Sequence, residues 1–251
     1  MRKRNKRTII LFFWVTLAAL FMCTKVFAID VTITTVGVNP RGFVDEQGVI
    51  VGSSYEIVNR IAEEAGLTYN NSLVPFHRLV RTLKSGKTDI ALLVPNKRVN
   101  EISIPLISVQ SVNFIVIGRK GTRIKKLNEI AGKRVGYLRK TVIVSQIMEG
   151  LDIQKSEGGQ YSSMLKMLIL GRIDFLIAPK ANIYWALKEL NYPPDELGEP
   201  LLVKKLEIYL VYSKKTADQK KMTTLIAAVK KLKKEKVIQA IINKYDYSIK
   251  K

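Results

Sequence analysis

The 251-residue sequence holds one Cys and one His, and it is short of acids: 21 Asp and Glu stand against 42 Lys and Arg, a formal net charge of +21. A single thiol, Cys23, excludes an intramolecular disulfide and a Cys-rich zinc site. A lone imidazole, His77, argues against a His-based metal site or a His-centred triad, and no cofactor is expected. What the acid shortage means depends on which part of the chain folds.

The N-terminus reads as an address. "MRKRNKR" gathers five cations with no acid, and "TIILFFWVTLAALFMC" is an apolar run of about fifteen residues, shorter than the roughly 20 that a membrane-spanning helix needs. "TKVFA" follows, with the small residues Val26 and Ala28 at the −3 and −1 positions of a cleavage site. This is the pattern of a secretory signal peptide, residues 1–28, cut between Ala28 and Ile29. Lys25, close behind the short apolar core, argues against a retained anchor, and Met22 before Cys23 argues against lipid attachment there. Cleavage removes the only Cys and six cations, leaving 36 basic and 21 acidic residues, a net charge of +15.

Such a charge raises nucleic acid as a partner. Export argues against it, and the Lys residues are spread along the chain except in "KKLKKEK" at 230–236, which reads as the solvated face of a helix carrying Leu225, Ile226, Val229 and Leu232. An anionic envelope surface or an acidic ligand suits an exported basic protein better.

One phrase is written twice. "GKTDIALLVP" (86–95) and "GRIDFLIAP" (171–179) each run Gly, cation, any residue, Asp, apolar stretch, Pro. Each follows a helical pattern: Phe76, Leu79, Val80 and Leu83 before the first; Met164, Leu165, Leu168 and Ile169 before the second. The spacing predicts a helix closed by a left-handed Gly, then a strand buried on both faces in a parallel sheet. "VTITTVGV" (31–38) predicts a strand and "SSYEIVNRIAEEAGL" a helix with Ile57, Ile61, Ala62 and Ala65 on one face. A strand at 134–138, another at 206–213 and two C-terminal helices complete two α/β units.

In this order, "GSSYEIVNRIAEEAGL", "VPFHRLVRTLKSGKTDIALL", "NKRVNEISIPLI", "FIVIGRKGTRIKKLNEIAGKRVGYL", "MLKMLILGRIDFLIAP" and "KKEKVIQAIINKY" resemble the bacterial extracellular solute-binding proteins of family 3, typified by the polar amino acid receptors of ABC importers. The resemblance spans nearly the whole mature chain. It implies an α/β, two-lobed fold of the periplasmic-binding-protein type that closes on a small ligand. Lobe 1 would be 29–117 plus 211–251 and lobe 2 118–210, with the chain crossing near Ile117–Gly118 and Leu210–Tyr212.

The resemblance also implies site residues. Arg98 in "PNKRVNEISIP" matches the family's cleft arginine, whose fork suits a carboxylate; beside Lys97 it also reads as a surface residue. Arg78, in the first turn of a helix, sits against the positive end of the helix dipole and so needs a reason to be there. Ligand contact is one, an exposed helix face the other. Phe76 falls where relatives carry an aromatic lid, and Thr141 where they hold an anionic group at a helix start, with Lys140 in place of the usual Gly. After the second strand, relatives that bind amino acids have an Asp for the ligand ammonium; here stand Pro179 and Lys180. "NPRGF" offers Arg41 and Gly42 where an aromatic is usual.

The candidate cleft, with Arg41, Arg78, Arg98, Arg139, Lys140 and Lys180, is therefore rich in cations. The expected solute is small, anionic or zwitterionic, bears a carboxylate and has no obligatory α-ammonium. The expected protein is a periplasmic monomer that hands this solute to an inner-membrane ABC permease. An orphan or sensory binding protein is the alternative. A dehydratase on the same fold would need a proton-moving acid in the cleft; the nearest, Glu56, reads as a helix N-terminal residue, so no enzyme is expected.

Overall fold

A computed structural model describes residues 29–139 and 141–249; the expected signal peptide and Lys140 lie outside the described residues. In chain order the elements are β1 (Val31–Val36), β2 (Phe43–Val44), β3 (Ile50–Val51), α1 (Ser53–Glu64), β4 (Tyr69–Val74), α2 (Phe76–Ser85), β5 (Ile90–Leu93), α3 (Lys97–Ile102) and β6 (Ser103–Ile117). After a 3-10 turn at Leu127–Ile130 come β7 (Arg134–Leu138), α4 (Val142–Ile147), β8 (Gln154–Gly158), α5 (Tyr161–Ile169), β9 (Phe175–Pro179) and α6 (Lys180–Glu189). A second 3-10 turn precedes β10 (Leu201–Ser213), α7 (Gln219–Lys234), α8 (Val237–Lys244) and a last 3-10 turn, Tyr247–Ile249.

The repeated phrase folds the same way in both places. α2 buries Leu79, Val80 and Leu83 and α5 buries Met164, Leu165 and Leu168. Each helix ends at a glycine in the left-handed region, Gly86 at φ 79° and Gly171 at φ 69°, where a Cβ would be strained. The next amides turn back to the helix: Lys87 N–H donates to Thr82 O at 3.0 Å, and Arg172 N–H to Met167 O at 2.8 Å. The two Asp residues then make matching bonds. Asp89 Oδ2 accepts from Thr32 N–H at 2.7 Å on β1, and Asp174 Oδ2 from Arg134 N–H at 2.9 Å on β7. Each thereby ties the start of a buried strand, β5 or β9, to its parallel neighbour.

The strands form one eight-stranded sheet in the order β4-β1-β5-β10-β6-β9-β7-β8. The outer thirds, β4-β1-β5 and β9-β7-β8, are each parallel. β6 and β10 run antiparallel between them and serve both: β10 pairs with β5 at Tyr209–Tyr212, and β6 pairs with β9 at Phe114–Ile117. These are the two lobes and the strands that join them. Both joining strands are longer than the stretches legible in the sequence, because each belongs to one lobe at one end and to the other lobe at the other.

Helices cover both faces of each lobe, as parallel strands require. On lobe 1, α1 and α7 bring Ile57, Ile61, Leu225 and Val229 onto one face, and α2 and α3 bring Leu79, Leu83 and Val99 onto the other. On lobe 2, α5 and α6 pack Leu165, Leu168, Ile183 and Leu187 against Leu176 and Ala178, while α4 sets Val144 and Met148 on the opposite face.

Candidate functional site

The C-terminal ends of β1, β7 and β9 converge between the lobes, the position where open α/β sheets bind ligands. After β1 the chain folds into a tight loop, Gly37–Gly42, fixed by the start of α1. Ser53 N–H donates to Pro40 O at 2.9 Å, and Ser54 and Tyr55 N–H donate to Arg41 O at 2.9 and 3.1 Å. These are amides that a helix start leaves unpaired, and loop carbonyls take the place of a side-chain cap. Gly52 makes this possible: a Cβ there would lie 2.5 Å from Arg41 O. The "NPRG" and "GSS" stretches thus hold the Arg41 backbone still and aim its side chain into the cleft.

Arg41 is half-buried and open to the cavity it lines. Partial burial pushes the guanidinium pKa below its usual value, and the Tyr161 phenol opposite, on α5, pulls it back. Tyr161 itself is pushed up to about 12 by burial, against the pull of the Arg41 charge. The pair therefore brings one residue of each lobe together. Among the described residues the Arg41 guanidinium has no ion-pair or hydrogen-bond partner.

Arg41 and Lys180 line one interlobe cavity of about 140 Å³, with Ser53, Gln110, Asn113, Asn182 and Tyr245. Lys180 opens α6, its Nζ 5.5 Å from the Tyr184 ring centroid. One acid faces this cavity, Asp246, and its Oδ1 already accepts from Ser248 N–H at 2.9 Å and Ser248 Oγ at 2.6 Å. A second cavity of about 380 Å³ lies on the other side of Asn182, lined by Gly37, Asn39, Leu138, Tyr161, Trp185 and Glu189 among others. The partition is polar: Asn182 Nδ2 donates to Asn39 O, and Asn39 Nδ2 to the Glu189 carboxylate.

The other sequence-derived positions are placed apart from these two cavities. Phe76 and Arg78 are exposed in the first turn of α2, beyond the end of β4. Arg98 is exposed on α3 beyond the end of β5, after Asn96, whose Oδ1 caps the helix by accepting from Val99 N–H at 3.1 Å. Thr141 takes the N-cap position of α4 without a side-chain cap bond. Lys140 lies outside the described residues. Glu56 is not a free acid: its carboxylate accepts from Lys244 Nζ at 2.7 Å and from the Tyr245 hydroxyl. No cluster of three or more His, Cys, Asp or Glu suited to a metal ion occurs among the described residues.

Sequence reasoning overlooked Asn39, Tyr161, Asn182, Trp185 and Glu189. A usable signal was present in "KANIYWALKE", where an Asn stands inside an apolar stretch. Asn182 is 5% exposed, and a buried amide must find partners; it finds one across the cleft.

Two α/β lobes joined by a pair of through-running strands, with a polar cleft at their strand ends, define the class of two-lobed, periplasmic-binding-protein-like folds. The chain matches the bacterial extracellular solute-binding proteins, family 3, over residues 31–247, and belongs to that family. It is 20% identical over 206 residues to the probable amino-acid-binding protein YxeM of Bacillus subtilis (strain 168), covering 80% of this chain and 77% of that one. Among solved structures it is similar to a histidine kinase sensor domain with similarity to periplasmic binding proteins (TM-score 0.68, 19% identity, 85% of this chain and 95% of that). It is also similar to the second substrate binding domain of a putative amino acid ABC transporter from Streptococcus pneumoniae Canada MDR_19A (TM-score 0.67, 17% identity, 86% and 100%).

Proposed function

We propose that this family member is a periplasmic receptor that captures a small carboxylate-bearing solute between its lobes and presents it to an ABC-type permease. The observation that carries the reading is Arg41: a half-buried guanidinium with no protein partner among the described residues, in a cavity shared with Lys180. Partial burial disfavours a charge that lacks a counter-ion, so a bound anion is the partner that makes the arrangement favourable. Pro179 begins the helix where an acid for an α-ammonium would stand, so the solute needs an anion and no α-ammonium. Arg98 and Arg78, exposed at the strand ends of lobe 1, are charges the solute meets on entry, with Phe76 and Thr141 at the rim.

The receptor works as a monomer, without a cofactor and without chemistry of its own. The solute bridges the lobes and biases an open–closed equilibrium towards the closed form. The lobes divide where β6 and β10 pass from one set of partners to the other, around Gln110–Asn113 and Lys205–Ile208. In the first strand that is a few residues before the Ile117 boundary read from sequence.

A thermal-shift screen of the chain from Ile29 onward tests the reading, since a ligand of the folded state raises the melting temperature. Dicarboxylates and other small organic anions should stabilise it. Stabilisation by cationic amino acids with none by dicarboxylates would reject the anionic assignment. The similarity to a kinase sensor domain favours a second reading, in which the same capture informs a receptor rather than a transporter.

A further inference from the structure

One face of lobe 1 carries more positive charge than the cleft uses. From Phe76 to Lys87 the chain contains no acid. α2 turns Leu79, Val80 and Leu83 inward, so Arg78, Arg81 and Lys84 point to solvent with Lys87 just beyond the cap. Beside it α3 adds Lys97 and Arg98. The turn after β10 adds Lys214, whose Nζ lies 2.6 Å from Asn100 O on α3, and Lys215, whose side chain covers Gly86. All eight cations are exposed, the one acid on these helices is Glu101, and no ion pair holds any of the eight among the described residues.

Like charges gathered on one face repel one another, so the arrangement gains from a partner that presents many negative charges over an area. A small solute has too few. The face also carries an exposed ring: Phe76 is 50% exposed at the start of α2. A single ring gives no series of stacking platforms for bases. It does suit a lipid headgroup layer, where aromatic rings concentrate and Lys and Arg stems lie along the apolar boundary. We propose that the face formed by α2, α3 and the Lys214–Lys215 turn docks the protein on an anionic phospholipid bilayer. The docking is independent of which solute the cleft takes.

Vesicle co-sedimentation tests this, with the chain from Ile29 onward, which holds every described strand and helix. Vesicles containing phosphatidylglycerol should bind it at low salt and release it at high salt, because screening shortens the reach of surface charge, while pure phosphatidylcholine vesicles should not bind. Each cation near an anionic surface adds roughly fivefold to partitioning. The triple variant Arg81→Glu, Lys84→Glu, Lys87→Glu should therefore bind at least about a hundredfold more weakly, the loss of three cations alone accounting for that factor, while an unchanged melting temperature shows that it folds. A control triple on lobe 2, Lys125→Glu, Lys166→Glu, Arg172→Glu, changes net charge equally and should bind within a few-fold of the parent. Equal loss in both triples, binding to neutral vesicles, tighter binding to single-stranded nucleic acid than to the vesicles, or no binding at all would each overturn the proposal.

Discussion

Arg41 sits where its charge is costly, and the loop that holds it there is bonded to α1 through its own carbonyls. Arg41→Met keeps the stem and removes the charge. Because the guanidinium has no partner to orphan among the described residues, the unliganded variant should melt no lower than the parent. A charge-assisted bond contributes about 1.5–3 kcal/mol, so solute affinity should fall at least tenfold; calorimetric titration measures it. Asp174 shows the opposite design, a charge that is fully partnered. Its hydrogen bonds to Arg134, chiefly through the side chain, hold its carboxyl below the usual range against the opposing effect of burial. A depressed folded pKa means its contribution is present above the unfolded value near 3.9 and is lost as pH falls through the folded one. Asp174→Ala should cost on the order of 1–2 kcal/mol at neutral pH, and the gap to the parent should narrow below about pH 4. Urea melts across that range would show a constant gap if the ionised carboxylate were irrelevant.

α6 explains both the strength and the limit of sequence reading here. The helices before each repeated phrase were legible because their apolar residues recur on one face, and the strands after it because they are apolar throughout. α6 has neither signature. Asn182, Ile183, Tyr184, Trp185, Ala186 and Leu187 are six consecutive buried residues, since lobe 2 covers one side of the helix and lobe 1 the other, and a helix buried all round shows no amphipathic period. For the same reason the cavity residues inside α6 were hidden, while Arg41 and Lys180, which line the first cavity, stand in a loop and at the end of a strand, where sequence reasoning looks. Trp185 supplies the aromatic contacts of this helix with lobe 1, 5.0 Å from the Phe43 ring and 6.1 Å from Tyr245, with its Nε1–H donating to Glu189 at 3.2 Å. Trp185→Ala should cost roughly 3–5 kcal/mol, as large-to-small changes at buried aromatics do. Because the lost contact lies between lobes, the radius of gyration by small-angle scattering should rise as well. Destabilisation with unchanged dimensions would place the role of Trp185 within lobe 2 alone.

At the scale of the molecule, the two lobes are joined by more than β6 and β10. After α8 the chain leaves lobe 1 and reaches lobe 2. Tyr245 Oη accepts Gly52 N–H at 3.0 Å and donates to Glu56, both on lobe 1, while its ring meets Trp185. Asp246 faces the cavity that holds Arg41 and Lys180, and burial together with the Asp246 charge raises the Tyr184 phenol pKa on α6. Tyr247 packs on the lobe 2 core. The C-terminal segment therefore touches both lobes, and under the proposed open–closed equilibrium it loses its lobe 2 contacts when the lobes part. A chain ending at Lys244 keeps every strand and both hinge strands, so it should still fold and still bind. It forfeits the Tyr245–Trp185 ring contact and the packing of Tyr247 on the lobe 2 core, about 2 kcal/mol together. That corresponds to a roughly thirtyfold drop in the ratio of closed to open forms. Closure holds the solute in, so the loss should appear as faster solute dissociation in stopped-flow measurements, with the association rate little changed. A truncated chain that released solute at the parental rate would show that the tail merely rests on lobe 2 and that β6 and β10 alone set the equilibrium.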